Sequence, residues 1–256
     1  MSSTVRTFES AQAACEAGAE WVTRQIGEAV AARGRAVAGL ATGRTPIALY
    51  EALVARHKWG ELSFRDVVTY NLDEYYPISP LDPNSYHAYM NQHLFAHVDL
   101  PANRAHVLDG TVPEAFADEH CAAFDRWIAA DGGLDFQLLG LGRNGHIGFN
   151  EPCDLDVEAM LALPTRIIPL HPVTAADAAA DFGGNVDQVP RRALTMGVAP
   201  IVAARAILVL AFGRNKADAV AAALKGPITS NLPGSLLQSV SSKVTWFLDA
   251  ESASAL

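Results

Sequence analysis

Residues Gly142 to Pro152 read Gly-Arg-Asn-Gly-His-Ile-Gly-Phe-Asn-Glu-Pro. Three glycines and a proline leave little to bury and forbid a long helix, so these residues serve backbone shape and chemistry. His146 is of the type that titrates near neutral pH, and Glu151 further along can orient the imidazole or share its proton. A second chemical segment, Asn71-Leu72-Asp73-Glu74-Tyr75, ends an apolar run with two adjacent acids. By strand periodicity, Glu74 points away if Asp73 points into a cleft. There Asp73 could act as a base; a solvated loop acid is the plainer alternative. A third segment, Gly39-Leu40-Ala41-Thr42-Gly43-Arg44-Thr45-Pro46, joins a strand to a helix. Thr45 is expected as the N-cap with Pro46 at the first helical position, and the loop amides then face an anion. The Gly-Lys-Ser/Thr ending of a P-loop is absent. Arg166 and Lys216 are cations that could clamp a phosphate, with a surface role as the default for each.

These segments need a frame. Val37–Leu40, Asp66–Leu72, Leu134–Leu141, Ala206–Phe212 and Lys243–Leu248 read as strands. Helical patterns run from Pro46 to His57, Ser85 to His97, Pro113 to Ala130 and Asn215 to Leu224. Such alternation predicts an α/β fold, a largely parallel sheet with helices on both faces. Ligands bind at the carboxyl ends of such strands, where the candidate residues fall. Residues 153–190 are the least regular stretch and are expected to form a lid. No linker stands out, so residues 1–256 are expected to form one domain.

Composition excludes several functions. The net charge is −9 and no Lys/Arg stripe offsets it, which argues against nucleic-acid binding. The most apolar stretch contains Gly197, Pro200 and Arg205, so no membrane span is expected. Cys15, Cys121 and Cys153 are odd in number and scattered, which fits a reducing compartment, and the first residues lack the apolar core of a signal peptide. A cytoplasmic protein is expected. Gly140-Leu141-Gly142-Arg143-Asn144-Gly145 matches a dinucleotide fingerprint in spacing alone. The fingerprint needs a helix opening at its last glycine and an acid about twenty residues on, and neither is present. His93 and His97 have helical metal-ligand spacing but lack the Glu of H-E-x-x-H and a third ligand, so no metal is expected.

Together these segments, with Asn84-Ser85-Tyr86-His87, Ala193-Leu194-Thr195-Met196-Gly197 and Asn215-Lys216-Ala217, resemble the glucosamine-6-phosphate deaminase (isomerase) family over nearly the whole chain. The resemblance implies a Rossmann-like fold and cofactor-free conversion of glucosamine 6-phosphate and water to fructose 6-phosphate and ammonia. It implies Asp73 as the base moving a proton between C2 and C1, His146 as the ring-opening residue, and Glu151 as its coupled acid. Thr42, Gly43, Arg44, Thr45, Arg166 and Lys216 match its phosphate-binding positions. Many members carry aspartate where this chain has Asn144, which then serves as a supporting residue and shifts the charge burden to Glu151. Arg44 stands where small residues are common. The short end after the last strand suits a non-allosteric form, and the sequence leaves monomer or homo-oligomer open. Galactosamine-6-phosphate deamination, 6-phosphogluconolactone hydrolysis and non-catalytic sugar-phosphate sensing are the alternatives.

Overall fold

A computed structural model describes residues 3–256. The chain opens with β1 (Thr4–Phe8), α1 (Ala11–Arg33), β2 (Ala36–Leu40), α2 (Ile47–Lys58), β3 (Val67–Asn71) and β4 (Asp73–Tyr76). It continues through α3 (Tyr86–His93), β5 (Ala105–His106), α4 (Ala117–Ala130) and β6 (Phe136–Gly140). Then come α5 (Val157–Leu161), β7 (Arg166–Pro169), α6 (Pro172–Ala178), β8 (Arg192–Thr195), α7 (Val198–Ala203), β9 (Ala206–Ala211), α8 (Ala217–Lys225) and β10 (Val244–Asp249).

Seven strands form one parallel sheet in the order β1-β10-β9-β6-β2-β3-β5. Its central strands are continuous apolar runs because helices cover both faces. Trp21 of α1 meets Phe136 edge-on at 5.7 Å, and Phe124 of α4 meets Tyr70 at 5.3 Å. Phe136 is in register with Ala38, whereas Tyr70 is in register with the next residue, Gly39, so α1 and α4 cover opposite faces. From β2 the chain builds outward through β3 to β5, then crosses to β6 on the other side of β2. This reversal opens a crevice at the carboxyl ends of β2 and β6.

Several elements differ from the sequence reading. α1 was not anticipated: the first half of its buried face is the small residues Ala14, Cys15, Gly18 and Ala19, before Trp21, Val22 and Ile26, which gives weak apolar contrast with the exposed face. Ser10 caps it by accepting from the Ala13 amide, and Gly34 ends it at φ 76°. The helix expected over residues 85–97 stops at His93, because Leu94 leaves helical geometry (φ −143°, ψ −61°). His93 and His97 therefore do not share a helix. α2 starts one residue later than expected, with Pro46 at the cap and no side-chain capping bond, so Thr45 is not the N-cap.

Residues 153–190 are not irregular. They carry α5, β7 and α6, and β7 pairs antiparallel with β8, which pairs antiparallel with β4. This small sheet brings Asp73 and Arg166 into register with the same residue, Thr195. Phe182, just beyond α6, packs edge-on against Tyr75 at 5.4 Å and anchors the segment over the crevice.

Candidate active site

A cavity of about 370 Å³ occupies the crevice. Thr42, Gly43, Arg44 and Thr45 line it from the loop after β2, Asp73 from β4, Arg143 and His146 from the loop after β6, Thr174 and Asp177 from α6, and Lys216 from the turn after β9. The loop after β2 is pinned from behind: the Tyr50 hydroxyl donates to the Ala41 carbonyl (2.5 Å) and that of Tyr89 to the Gly43 carbonyl (2.6 Å).

The loop after β6 closes on itself instead of opening a helix. The Gly142 amide donates to the His146 carbonyl (2.9 Å), and the Gly145 amide to the Gly142 carbonyl (3.0 Å). Gly145 sits at φ 83°, where a side chain is strained. Gly142 is required by space: a Cβ there would lie 2.3 Å from His146 Nδ1. Nδ1 donates to Asn144 Oδ1 (2.8 Å) and lies 3.3 Å from Glu151 Oε2. Both neighbours are acceptors, so the proton sits on Nδ1 and Nε2 is the basic nitrogen. Asn144 Nδ2 also donates to Glu151 Oε2 (2.8 Å), so Asn144 bridges imidazole and carboxylate. The Thr174 hydroxyl donates to Glu151 Oε1 and stands 3.5 Å from His146 Nδ1. Burial alone would raise the Glu151 pKa. The imidazole's hydrogen bond and charge, with the donors Thr174 and Asn144, hold it below the usual value.

Asp73 is in the opposite state. It is 5 % exposed, and it accepts a long hydrogen bond from the Thr42 hydroxyl, at 3.5 Å. Burial, reinforced by the neighbouring Glu74 charge, pushes its pKa up to about 8, with Thr42 opposing. Glu74 does point away, to the start of α3, where its carboxylate accepts from the amides of Tyr75, Tyr86 and His87 at 2.8–2.9 Å. Burial raises its pKa to about 7 against the pull of those three donors.

Arg44, Arg143 and Lys216 are the cavity's cations. Burial lowers the Lys216 pKa; Asp177 opposes this, and Arg143 and Arg44 add to it. Arg166, expected among the phosphate clamps, is not on the cavity wall. Its guanidinium donates to Asn150 Oδ1 (2.9 Å), and Asn150 Nδ2 donates to the carbonyls of Ile147 (3.0 Å) and Met196 (2.9 Å). Arg166 thus braces the loop that carries His146. Among the described residues there is no group of three or more His, Cys, Asp or Glu positioned to hold a metal, and no helix long and apolar enough to cross a membrane.

The family model for glucosamine-6-phosphate isomerases/6-phosphogluconolactonase matches residues 9–152, more than half of the chain. The chain belongs to this family. It is 43 % identical over 220 residues to the glucosamine-6-phosphate deaminase of Halothermothrix orenii, covering 86 % of this chain and 88 % of that protein. To the Hahella chejuensis glucosamine-6-phosphate deaminase it is 42 % identical over 248 residues, 97 % of this chain and 90 % of the other. The solved structure of a monomeric glucosamine-6-phosphate deaminase superposes with a TM-score of 0.90 at 37 % identity, covering 99 % of this chain and all of that one. The 6-phosphogluconolactonase of Thermotoga maritima, 18 % identical with a TM-score of 0.74 over 96 % of this chain and 99 % of that one, shares the fold. Within this family frame, the chain's own structure adds cavity residues that sequence reasoning missed, among them Arg143, Thr174, Asp177 and Asp181. Thr174 and Asp177 sit on α6, in a stretch without any motif. Arg143 lies inside the glycine-rich segment, where its spacing alone assigns it no role.

Proposed function

We propose that this chain is a glucosamine-6-phosphate deaminase, converting glucosamine 6-phosphate and water to fructose 6-phosphate and ammonia. The observation that carries the reading is the pairing of two unlike acid–base groups across one cavity, an imidazole backed by an ionised carboxylate and a buried aspartate with a raised pKa. His146 Nε2 takes the proton of the anomeric hydroxyl and returns one to the ring oxygen, which opens the pyranose to the aldehyde. Glu151 and Asn144 stabilise the imidazolium formed between these steps. Asp73 takes the proton from C2 and delivers it to C1 while one proton of the substrate's ammonium passes to the C1 oxygen, leaving a hydroxyl at C1 and an iminium at C2. Water adds to that carbon and ammonia leaves, giving the ketose. Thr42, Gly43, Arg44, Thr45 and Lys216 hold the phosphate, and this remote contact positions the reacting carbons.

Lactone hydrolysis needs no base above C2, so Asp73 favours deamination. Three free cysteines suit the cytoplasm for this enzyme. Residues 172–182, over the cavity, act as a lid in this reading. The deciding experiment measures ammonia release from glucosamine 6-phosphate and galactosamine 6-phosphate side by side. Faster release from the gluco epimer is expected, and a clear preference for the galacto epimer would overturn the substrate.

A further inference from the structure

Arg143 forms a two-pronged pair with Asp177: Nε donates to Oδ2 at 2.9 Å, and Nη2 lies 2.8 Å from Oδ1. Both side chains line the cavity, and both keep over two-fifths of their surface in solvent (45 % and 42 %). Their charges act on Lys216, as does that of Arg44. Around Lys216 the cavity therefore gathers the charges of Arg143, Arg44 and Asp177, and the Asp177 carboxylate presents two oxygens to a guanidinium as a phosphate does. We propose that Asp177 stands in for the phosphate, and that Arg143 turns from Asp177 to the phosphate of the bound sugar.

The proposal rests on the sugar-phosphate reading above and names a ligand which that reading does not include. Three features support it. Arg166, which the family resemblance puts at the phosphate, is turned to Asn150 and is off the cavity wall, whereas Arg143 is on it. A half-exposed ion pair holds loosely, so a dianion can displace one carboxylate from it. Arg143 is on a short loop whose backbone stays closed when the side chain swings, since its turn bonds run between Gly142, Gly145 and His146.

Two substitutions test this in opposite directions. Removing one two-pronged charged contact to the phosphate in R143Q should raise the KM for glucosamine 6-phosphate about tenfold or more, with most of the loss in KM rather than kcat. Freeing Arg143 in D177N should lower KM and tighten inorganic phosphate, measured by calorimetry, by about fivefold. In the double variant the gain from D177N should vanish, because the arginine it frees is gone. R143K, which keeps the charge without the fork, should fall between wild type and R143Q. An unchanged KM in R143Q, or a D177N variant that weakens phosphate as R143Q does, would overturn the proposal. If the wild type released no ammonia, the reaction assignment would fail, while the opposed calorimetric effects would still support the exchange at Arg143.

Discussion

Asp73→Asn separates the chemistry of the base from the cost of keeping it in the fold. In wild type the buried carboxyl ionises near pH 8, against about 4 in an unfolded chain. The folded form therefore holds the proton more tightly, and between those values only the unfolded chain gives it up. Stability falls as pH rises through this window, by about 1.4 kcal/mol per unit, and the loss is complete above the folded pKa. From pH 5 to pH 8.5 it reaches about 4 kcal/mol, a ceiling set by the burial of Asp73. The amide in D73N is neutral throughout and escapes this loss. The variant should therefore gain on wild type with rising pH, by about 10 °C in Tm across that range for a chain of this size. It should also release no ammonia while still binding sugar phosphate, because an amide takes no proton from C2. In wild type, kcat/KM should climb with pH through the Asp73 pKa. The substrate's ammonium favours the carboxylate, so kcat should climb at lower pH. Parallel urea titrations at pH 5 and 8.5, with ammonia assays, measure all of this. A stability gap that stays flat with pH, or normal turnover in D73N, refutes the reasoning.

Three further substitutions probe the imidazole and its supports. T174V removes a charge-assisted hydrogen bond from Glu151, raising that carboxyl's pKa; the acid limb of the kcat profile should move to higher pH and T174S should restore it. In N144D a second carboxylate faces Glu151 where an amide donated to it at 2.8 Å, so one of the two holds a proton. Its acid limb should rise by about one unit, with turnover kept within about tenfold, read from a pH–rate series. G142A drives a methyl into His146 Nδ1 and displaces the ring, so kcat should drop about a hundredfold while calorimetric phosphate binding persists.

Local pattern was enough for the parallel sheet. β2, β3, β6, β9 and β10 are runs of apolar residues within a residue or two of where they were expected. α1 escaped because a face of small residues looks much like its exposed side, and β4, β7 and β8 because four-residue strands in a mixed context carry little periodic signal. The segments bearing Thr42–Thr45, Asp73 and His146 stand out in the sequence because glycine, proline and charges at strand ends have few structural reasons to be there. Arg166 was misread on residue type: a cation within reach of a phosphate site in sequence became a brace once β7 paired with β8.

The chain's sequence by itself determined which residue types were available for proton transfer and at which strand ends they would emerge, because backbone freedom and hydrophobic runs are local properties. It could not determine how those ends meet. The strand order set the loops of Thr42 and His146 on the walls of one cavity at the switch between β2 and β6, and a small antiparallel sheet carried α6 over the cavity. Only that packing gives Asp73 its raised pKa, joins Asn144, Glu151 and Thr174 around one imidazole nitrogen, and sets Asp177 against Arg143. Burial, charge proximity and hydrogen-bond geometry belong to surroundings drawn from distant parts of the chain, and so they came into being with the tertiary structure.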